Sequence, residues 1–193
     1  MATGGVPVDP VPAATALIVR DGAAGIEVVM VRRPPGGMFG GLWVFPGGVV
    51  DGLDGSDRDQ AGRRAAVRES LEEVGIELEE LDAVFVSRWI TPVWAPRRYD
   101  TRFYLIPAPG GLEPSVTPGE IEEGRWVGAA EALQLHESGE WEMILPTLEH
   151  LRWLNDLGSV GAAAGTAANV ADLEPIEPTL AEDGSLIARF LPR

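Results

Sequence analysis

Three glutamates, Glu69, Glu72 and Glu73, follow one another at i, i+3 and i+4, and Gly75 closes the run two residues later. On a helix that spacing places all three carboxylates on one face. Like charges so placed repel, weakly in water and more strongly when partly buried, so a helix that keeps them together calls for a cation. Hard divalent cations take oxygen ligands, and magnesium binds through few carboxylates while retaining waters and substrate phosphates. Arg68 stands four residues before Glu72 and is placed to pin that carboxylate by a charge-assisted hydrogen bond. A bare pair of acids would read as a solvated helix face, but the surroundings here argue against it. Upstream, Pro46-Gly47-Gly48 forms a turn with open backbone carbonyls, and Gly75 stops the helix as a left-handed C′ glycine does.

The rest of the chain supplies a mixed frame for that helix. Residues 13–20 and 26–33 are apolar and β-prone, joined through a hairpin loop at 21–25. Leu42 to Pro46 reads as a short buried strand ending at the Pro-Gly-Gly turn. Ser56 and Asp59 have the spacing of a capping box, with Asp in place of the usual Glu. Helix is expected from there to Val74, with Ala65, Ala66, Ser70 and Leu71 as its packing positions. Residues 84–93, 101–107 and 123–127 read as strands, and 129–135 and 141–157 as helices. In the second of these helices Met143, Ile144, Leu148, Leu151 and Leu154 fall close to one stripe. The Gly/Ala-rich stretch 158–169 is either linker or weak helix, and 185–191 is expected to return as an edge strand. Strands dominate early and helices recur late, which points to an α/β fold with a mixed sheet and not to a regularly alternating parallel one.

Composition narrows the chemistry. There is no cysteine, which excludes disulfides, thiolate nucleophiles and zinc–thiolate centres. All 15 basic residues are Arg, so Schiff-base chemistry and a P-loop lysine are excluded too, while arginine suits phosphate clamping. No GxSxG elbow occurs, and His136 and His150 both fall in late helical segments as surface or packing residues. The formal net charge of −15 argues against a sequence-independent grip on nucleic acid. No stretch approaches the ~20 apolar residues of a membrane span, and the first residues lack the pattern of a secretory signal. A cytoplasmic protein is expected.

Arg68 to Ile76, RESLEEVGI, resembles the second half of the Nudix box, REUxEExGU, in which U is a bulky apolar residue, and Pro46-Gly47-Gly48 resembles the turn that opens it. Five residues separate Gly48 from Asp54, as the pattern has between its glycine and an acid, with Asp standing where Glu is usual. Thirteen residues lie between Asp54 and Arg68 where the pattern has seven, an insertion expected in the loop before the helix. Ser70 occupies a position that is usually apolar. The resemblance covers Ala13 to about Leu157. It implies the Nudix α/β/α sandwich, a mixed central sheet between helices with the box as a loop–helix–loop metal site. The expected division is a flexible N-terminus over 1–12, a Nudix hydrolase domain over 13–157, and a C-terminal extension over 158–193 packing on the domain or on a partner subunit.

The same resemblance implies roles. Glu69, Glu72 and Glu73 would bind Mg²⁺, or Mn²⁺ as a substitute, with the Gly48 carbonyl completing the coordination, while Arg68 and Gly75 support the site. Glu69 is the first candidate for general base and Glu120 the second, the latter from a later loop in which Glu122 and Glu123 are alternatives. Arg33, Arg97 and Arg98 are candidates for receiving phosphates, within a wider group that includes Arg32 and Arg102, and Trp43, Trp89 and Trp94 for stacking on a base. The implied substrate is a small nucleoside diphosphate derivative. FPGGx₅D resembles the subgroup that includes coenzyme A diphosphatases, though the Gly-Glu pair of that subgroup is missing, Gly41 being followed by Leu42. Coenzyme A or an acyl-coenzyme A therefore stands beside ADP-ribose and NADH, with a nucleotide-sensing, non-catalytic module as a further alternative. A homodimer is the expected assembly, if any, since homodimers are common in the superfamily.

Overall fold

The computed structural model describes residues 8–37, 39–170 and 174–188. Strands β1 (Val11–Gly22), β2 (Gly25–Arg32), β3 (Trp43–Val44), β4 (Gly47–Val49), β5 (Val84–Ile90), β6 (Tyr99–Pro107) and β7 (Glu123–Gly128) form one seven-stranded mixed sheet. β1 runs parallel to β6 from Val11 to Val19 and antiparallel to β2 from Val19 to Gly22. Its N-terminal half pairs instead with β4, at Ala13–Thr15. β2 pairs with β7 from Glu27 to Arg32, so β1 and β3 share its other edge. The β1–β2 connection is tighter than the expected loop, a turn of Ala23 and Ala24 into Gly25, whose φ of 124° suits glycine.

Strand periodicity assigns the two faces. Leu17 and Val19 of β1, with Val28 and Met30 of β2, join one core; Ala14, Ala16 and Ile18, with Val29 and Val31, join the other. Helix α1 (Arg58–Val74) covers the second face through Ala65, Ala66 and Val74. Helices α2 (Ala129–Glu137), α3 (Leu145–Leu157) and α4 (Val160–Ala167) cover the first, through Ala132, Leu151, Leu154 and Ala163 among others. This is the expected α/β/α sandwich.

Several boundaries differ from expectation. Val11 and Pro12 already lie in β1, inside the segment expected to be flexible, of which residues 1–7 lie outside the described ones. The cap of α1 is Asp57, not Ser56: its carboxylate accepts the Gln60 N–H at 2.9 Å, and an anion is favoured at that pole of the helix. Asp59 takes Arg63 instead, at 2.8 Å. Only Gly55, Ser56 and Asp57 separate Asp54 from the helix, so at least three of the extra residues lie in α1 and not in the loop before it. Leu71 is 52% exposed, because Ser70, Glu73 and Val74 take the buried stripe.

Helix α3 begins at Leu145 and not Trp141, since Pro146 fits only a first turn. Residues 158–169 do form a helix in part, capped by Ser159. The C-terminal segment docks on the edge of the large sheet: Ile176 donates to the Arg88 carbonyl at 2.8 Å and accepts from Ile90 N–H at 2.9 Å. Of the edge strand expected over 185–191, Leu186–Ile187 is a strand (β9). It pairs with Thr179–Leu180 (β8) in a separate hairpin and not with the main sheet. Residues 189–191 lie outside the described ones. Among the described residues no helix is long and apolar enough to cross a membrane.

Candidate active site

The last two turns of α1 carry Glu69, Glu72 and Glu73 towards Gly47 and Gly48, which lie in strand β4 and not in the turn expected there, and the three acids meet different environments. Glu73 is almost wholly buried. One oxygen accepts the Gly47 N–H at 3.0 Å and the other accepts Arg33 Nη1 at 2.8 Å. Burial pushes its pKa up to about 7, against the opposing pull of Arg33 and the Gly47 N–H. Glu69 is also raised, first by burial, with Arg68 opposing and Glu72 adding to the rise. Glu72 is half exposed.

Arg68 ties this end of the helix together. Its Nη1 donates to Glu69 at 2.8 Å and to Glu72 at 2.9 Å, the second being the expected i,i+4 contact. Its Nη2 donates to the Val49 carbonyl at 3.0 Å and to Asp54 at 3.1 Å, and its Nε to Asp54 at 3.3 Å. Asp54, buried and also accepting the Asp51 N–H at 2.9 Å, fixes the guanidinium in place. Hydrogen bonding to Asp54 leads the rise of the Arg68 pKa, so the group stays charged. The crowding of the acids is thus offset in part by guanidinium groups, where the spacing alone had pointed to a divalent ion. As the side chains stand, the described acids do not converge as a set of three around one point.

Gly48 and Gly75 have clear structural reasons. A Cβ on Gly48 would lie 2.3 to 2.7 Å from the Glu69 carboxyl group, so only glycine lets that carboxylate rest on the β4 backbone. Gly75 takes a φ of 65°, and its N–H donates to the Leu71 carbonyl at 3.0 Å, ending the helix directly after the acids.

Glu120 arrives by a latch. Ser115 N–H donates to the Val74 carbonyl at 2.8 Å, Thr117 N–H to that of Glu73 at 3.1 Å, and the Thr117 hydroxyl to that of Glu72. The loop therefore satisfies the final carbonyls of α1. It puts Glu120 on the wall of a cavity of about 570 Å³ that Glu69, Glu72, Glu73, Arg33 and Arg97 also line. Glu122 and Glu123 turn away, to Arg32 at 3.3 and 3.9 Å.

Of the arginines expected to meet phosphate, Arg33 and exposed Arg97 line this cavity. Arg98 does not belong with them. It is 8% exposed, and its donors go to the Thr91 carbonyl at 2.8 Å, the Val8 carbonyl at 3.2 Å and Glu177 at 3.4 Å. It alternates in direction with Arg97 and holds the C-terminal segment. Arg102 is buried too, facing Asp59 at 3.5 Å and the Phe85 ring. Trp43 stacks on Trp141 with centroids 3.7 Å apart and is core, whereas Trp94 is exposed.

A second, largely apolar cavity of about 470 Å³ adjoins the first, sharing Arg33, Phe39, Glu69 and Tyr99 with it and including Trp89 in its wall. Behind that wall His150 is fully buried. It makes 2.6 Å contact with the Pro146 carbonyl through Nδ1 and 2.8 Å contact with Ser87 Oγ through Nε2. A carbonyl only accepts, so Nδ1 carries the proton and Ser87 donates to Nε2, while Ser87 accepts the Trp89 indole N–H at 3.2 Å. Burial holds the imidazole near a pKa of about 3. This pair lines neither cavity and is packing, as expected of His150. The buried anchoring of Arg68 by Asp54 and the Thr117 latch are the features that spacing alone did not expose.

The fold is shared with known proteins. Among solved structures, a NUDIX hydrolase from Alicyclobacillus acidocaldarius superposes with a TM-score of 0.76 at 26% identity, over 86% of this chain and 99% of that one. A MutT NUDIX hydrolase from Burkholderia pseudomallei gives 0.58 at 26% identity, over 75% and 98%. The NUDIX domain of Shewanella oneidensis NrtR, solved with ADP ribose, gives 0.60 at 15% identity over 77% and 88%, a likeness of fold alone. No curated protein matches the chain. The family model described as NUDIX domain matches residues 9–145, a span that holds the acids of α1, the β4 glycines beside Glu69 and Glu73, and the loop that brings Glu120. On that match the chain belongs to the NUDIX family and is a Nudix hydrolase.

Proposed function

We propose that the chain hydrolyses the diphosphate linkage of a nucleoside diphosphate derivative with Mg²⁺, Mn²⁺ serving as a substitute. The observation that carries this reading is the gathering of Glu69, Glu72, Glu73 and Glu120 with Arg33 and Arg97 around one cavity. The donor set fits a hard divalent cation. All its members are oxygens, two of the acids are partly or wholly desolvated, and Gly48 lets the Glu69 carboxylate sit against the backbone. Glu69, Glu72 and Glu73 would hold the ion, with the Gly48 carbonyl beside them. Such an ion, when bound, neutralises the diphosphate and lowers the pKa of a water.

The remaining work falls to the protein. Glu69, raised by its burial, is suited to accept a proton from the attacking water at a carboxylate oxygen, with Glu120 second. Arg97 and Arg33 orient the phosphates, Arg33 while holding Glu73 in place. Arg68, fixed by Asp54, keeps Glu69 and Glu72 aligned. Positioning and charge stabilisation account for most of the catalysis in phosphoryl transfer of this kind.

Coenzyme A or an acyl-coenzyme A, ADP-ribose and NADH are the substrates to separate. Chromatographic detection of nucleoside monophosphate over such a panel, with and without a chelator, tests the reading. Release that stops on chelation and returns with Mg²⁺ supports it. Tight binding of one member with no turnover of any would point to a sensing module instead.

A further inference from the structure

We propose that the apolar chamber beside Glu69, closed on one side by the C-terminal segment, receives a non-polar substituent on the diphosphate of the substrate and so sets the substrate class. This rests on reading the α1 carboxylates as the hydrolytic site. The chamber is continuous with that site through Arg33, Phe39, Glu69 and Tyr99, so a group bonded to a phosphate lying on the acids enters it directly. Its volume of about 470 Å³ is that of a ligand pocket. Phe45, Trp89, Phe103 and Leu145 are among the apolar side chains that line it.

A nucleobase is read by donors and acceptors held at fixed points, and a pocket without them discriminates poorly among polar rings. Among the described residues lining this chamber, Arg33 and Glu69 carry the only charges, and no side-chain amide or imidazole is present. Its other polar groups are chiefly the hydroxyls of Thr15, Thr91, Tyr99, Thr101 and Thr147. Of these, Thr91 already accepts the Tyr99 N–H at 3.0 Å, and the Trp89 indole N–H is committed to Ser87. Such a surface rewards burial of hydrocarbon.

The outer wall lies beyond the family match, which ends at residue 145. Ile176 bonds the edge of β5, Arg98 reaches Glu177 at 3.4 Å, and the segment so anchored brings Pro178 and Leu186 onto the chamber. The C-terminal segment is thus a determinant of specificity as well as a structural strap.

The test uses the full-length chain with Mg²⁺ and adenosine diphosphates esterified on the β-phosphate with methyl, butyl, hexyl or ribosyl groups. Buried methylenes each contribute a factor of up to about four. Accordingly kcat/KM should rise about tenfold or more from the methyl to the hexyl ester. In Leu186→Asp, at a position 39% exposed and so tolerant of charge, the hexyl-to-methyl ratio should collapse towards one. Leu81→Asp, at a position 94% exposed that lines neither cavity, should keep the ratio. A flat series in the wild type, or ribose outrunning every alkyl group, overturns the inference while leaving diphosphate hydrolysis intact. If no ester is hydrolysed, the functional reading fails and the chamber is read by titration calorimetry of the same esters. Affinity that climbs with chain length and loses that climb in Leu186→Asp then upholds the inference, and equal affinities overturn it.

Discussion

The Glu69 carboxylate rests where a side chain on Gly48 would have to stand, so the two positions constrain each other across 21 residues of chain. Replacing Gly48 by Ala forces the carboxylate off the β4 backbone. Displacement of this size costs on the order of a hundredfold in turnover. Gly48→Ala should therefore lose activity by about that factor, with a melting temperature near that of the wild type. Steady-state kinetics beside calorimetry checks both halves, and wild-type turnover would show that Glu69 does no chemistry.

Glu69→Gln and Glu73→Gln separate the acids by role. Gln at 73 can still accept the Gly47 N–H but no longer offers charge to Arg33 or to a metal ion. Glu69→Gln removes the proposed proton acceptor, and a drop of about 10²- to 10⁴-fold in kcat is expected. Glu73→Gln should mainly weaken the Mg²⁺ requirement curve, shifting its midpoint to higher concentration. Folding, followed by circular dichroism, should persist in both.

Asp54 acts on the site through Arg68. Asp54→Asn leaves a partly buried guanidinium with a weaker partner, and Arg68 then loses its fixed aim at Glu69 and Glu72. Loss of a supporting contact of this kind weakens metal binding by about 10- to 100-fold. Arg68→Gln should do the same, and the double variant should be no worse than the more severe single one. Strict additivity would mean that the two residues act independently.

His150 gives the protein an acid sensitivity that is separate from catalysis. Its folded pKa, about 3, lies below the ordinary 6.5, so the unfolded chain binds the proton more readily. The resulting stability is present in full above pH 6.5 and is lost as pH falls from there towards 3. The loss amounts to roughly 1.4 kcal/mol per pH unit across that window. His150→Gln should flatten this part of the curve of melting temperature against pH, at the cost of lower stability near neutrality.

What could be read along the chain was whatever depends on near neighbours. The i, i+3, i+4 spacing of the acids, the stop at Gly75, the alternation in β1 and β2, and the Leu148, Leu151 and Leu154 stripe of α3 are local patterns, and the fold keeps them. Pairings between distant residues were decided only by the tertiary structure. Arg33 meets Glu73 from 40 residues away, and Arg98 turns inward to Val8 and Glu177 although its neighbour Arg97 faces the cavity. The C-terminal segment docks on β5 across more than 80 positions. Side-chain chemistry is written in the sequence, but desolvation is not. Burial beside Gly47 took Glu73 of the acidic helix face out of water, while Glu72 stayed half exposed.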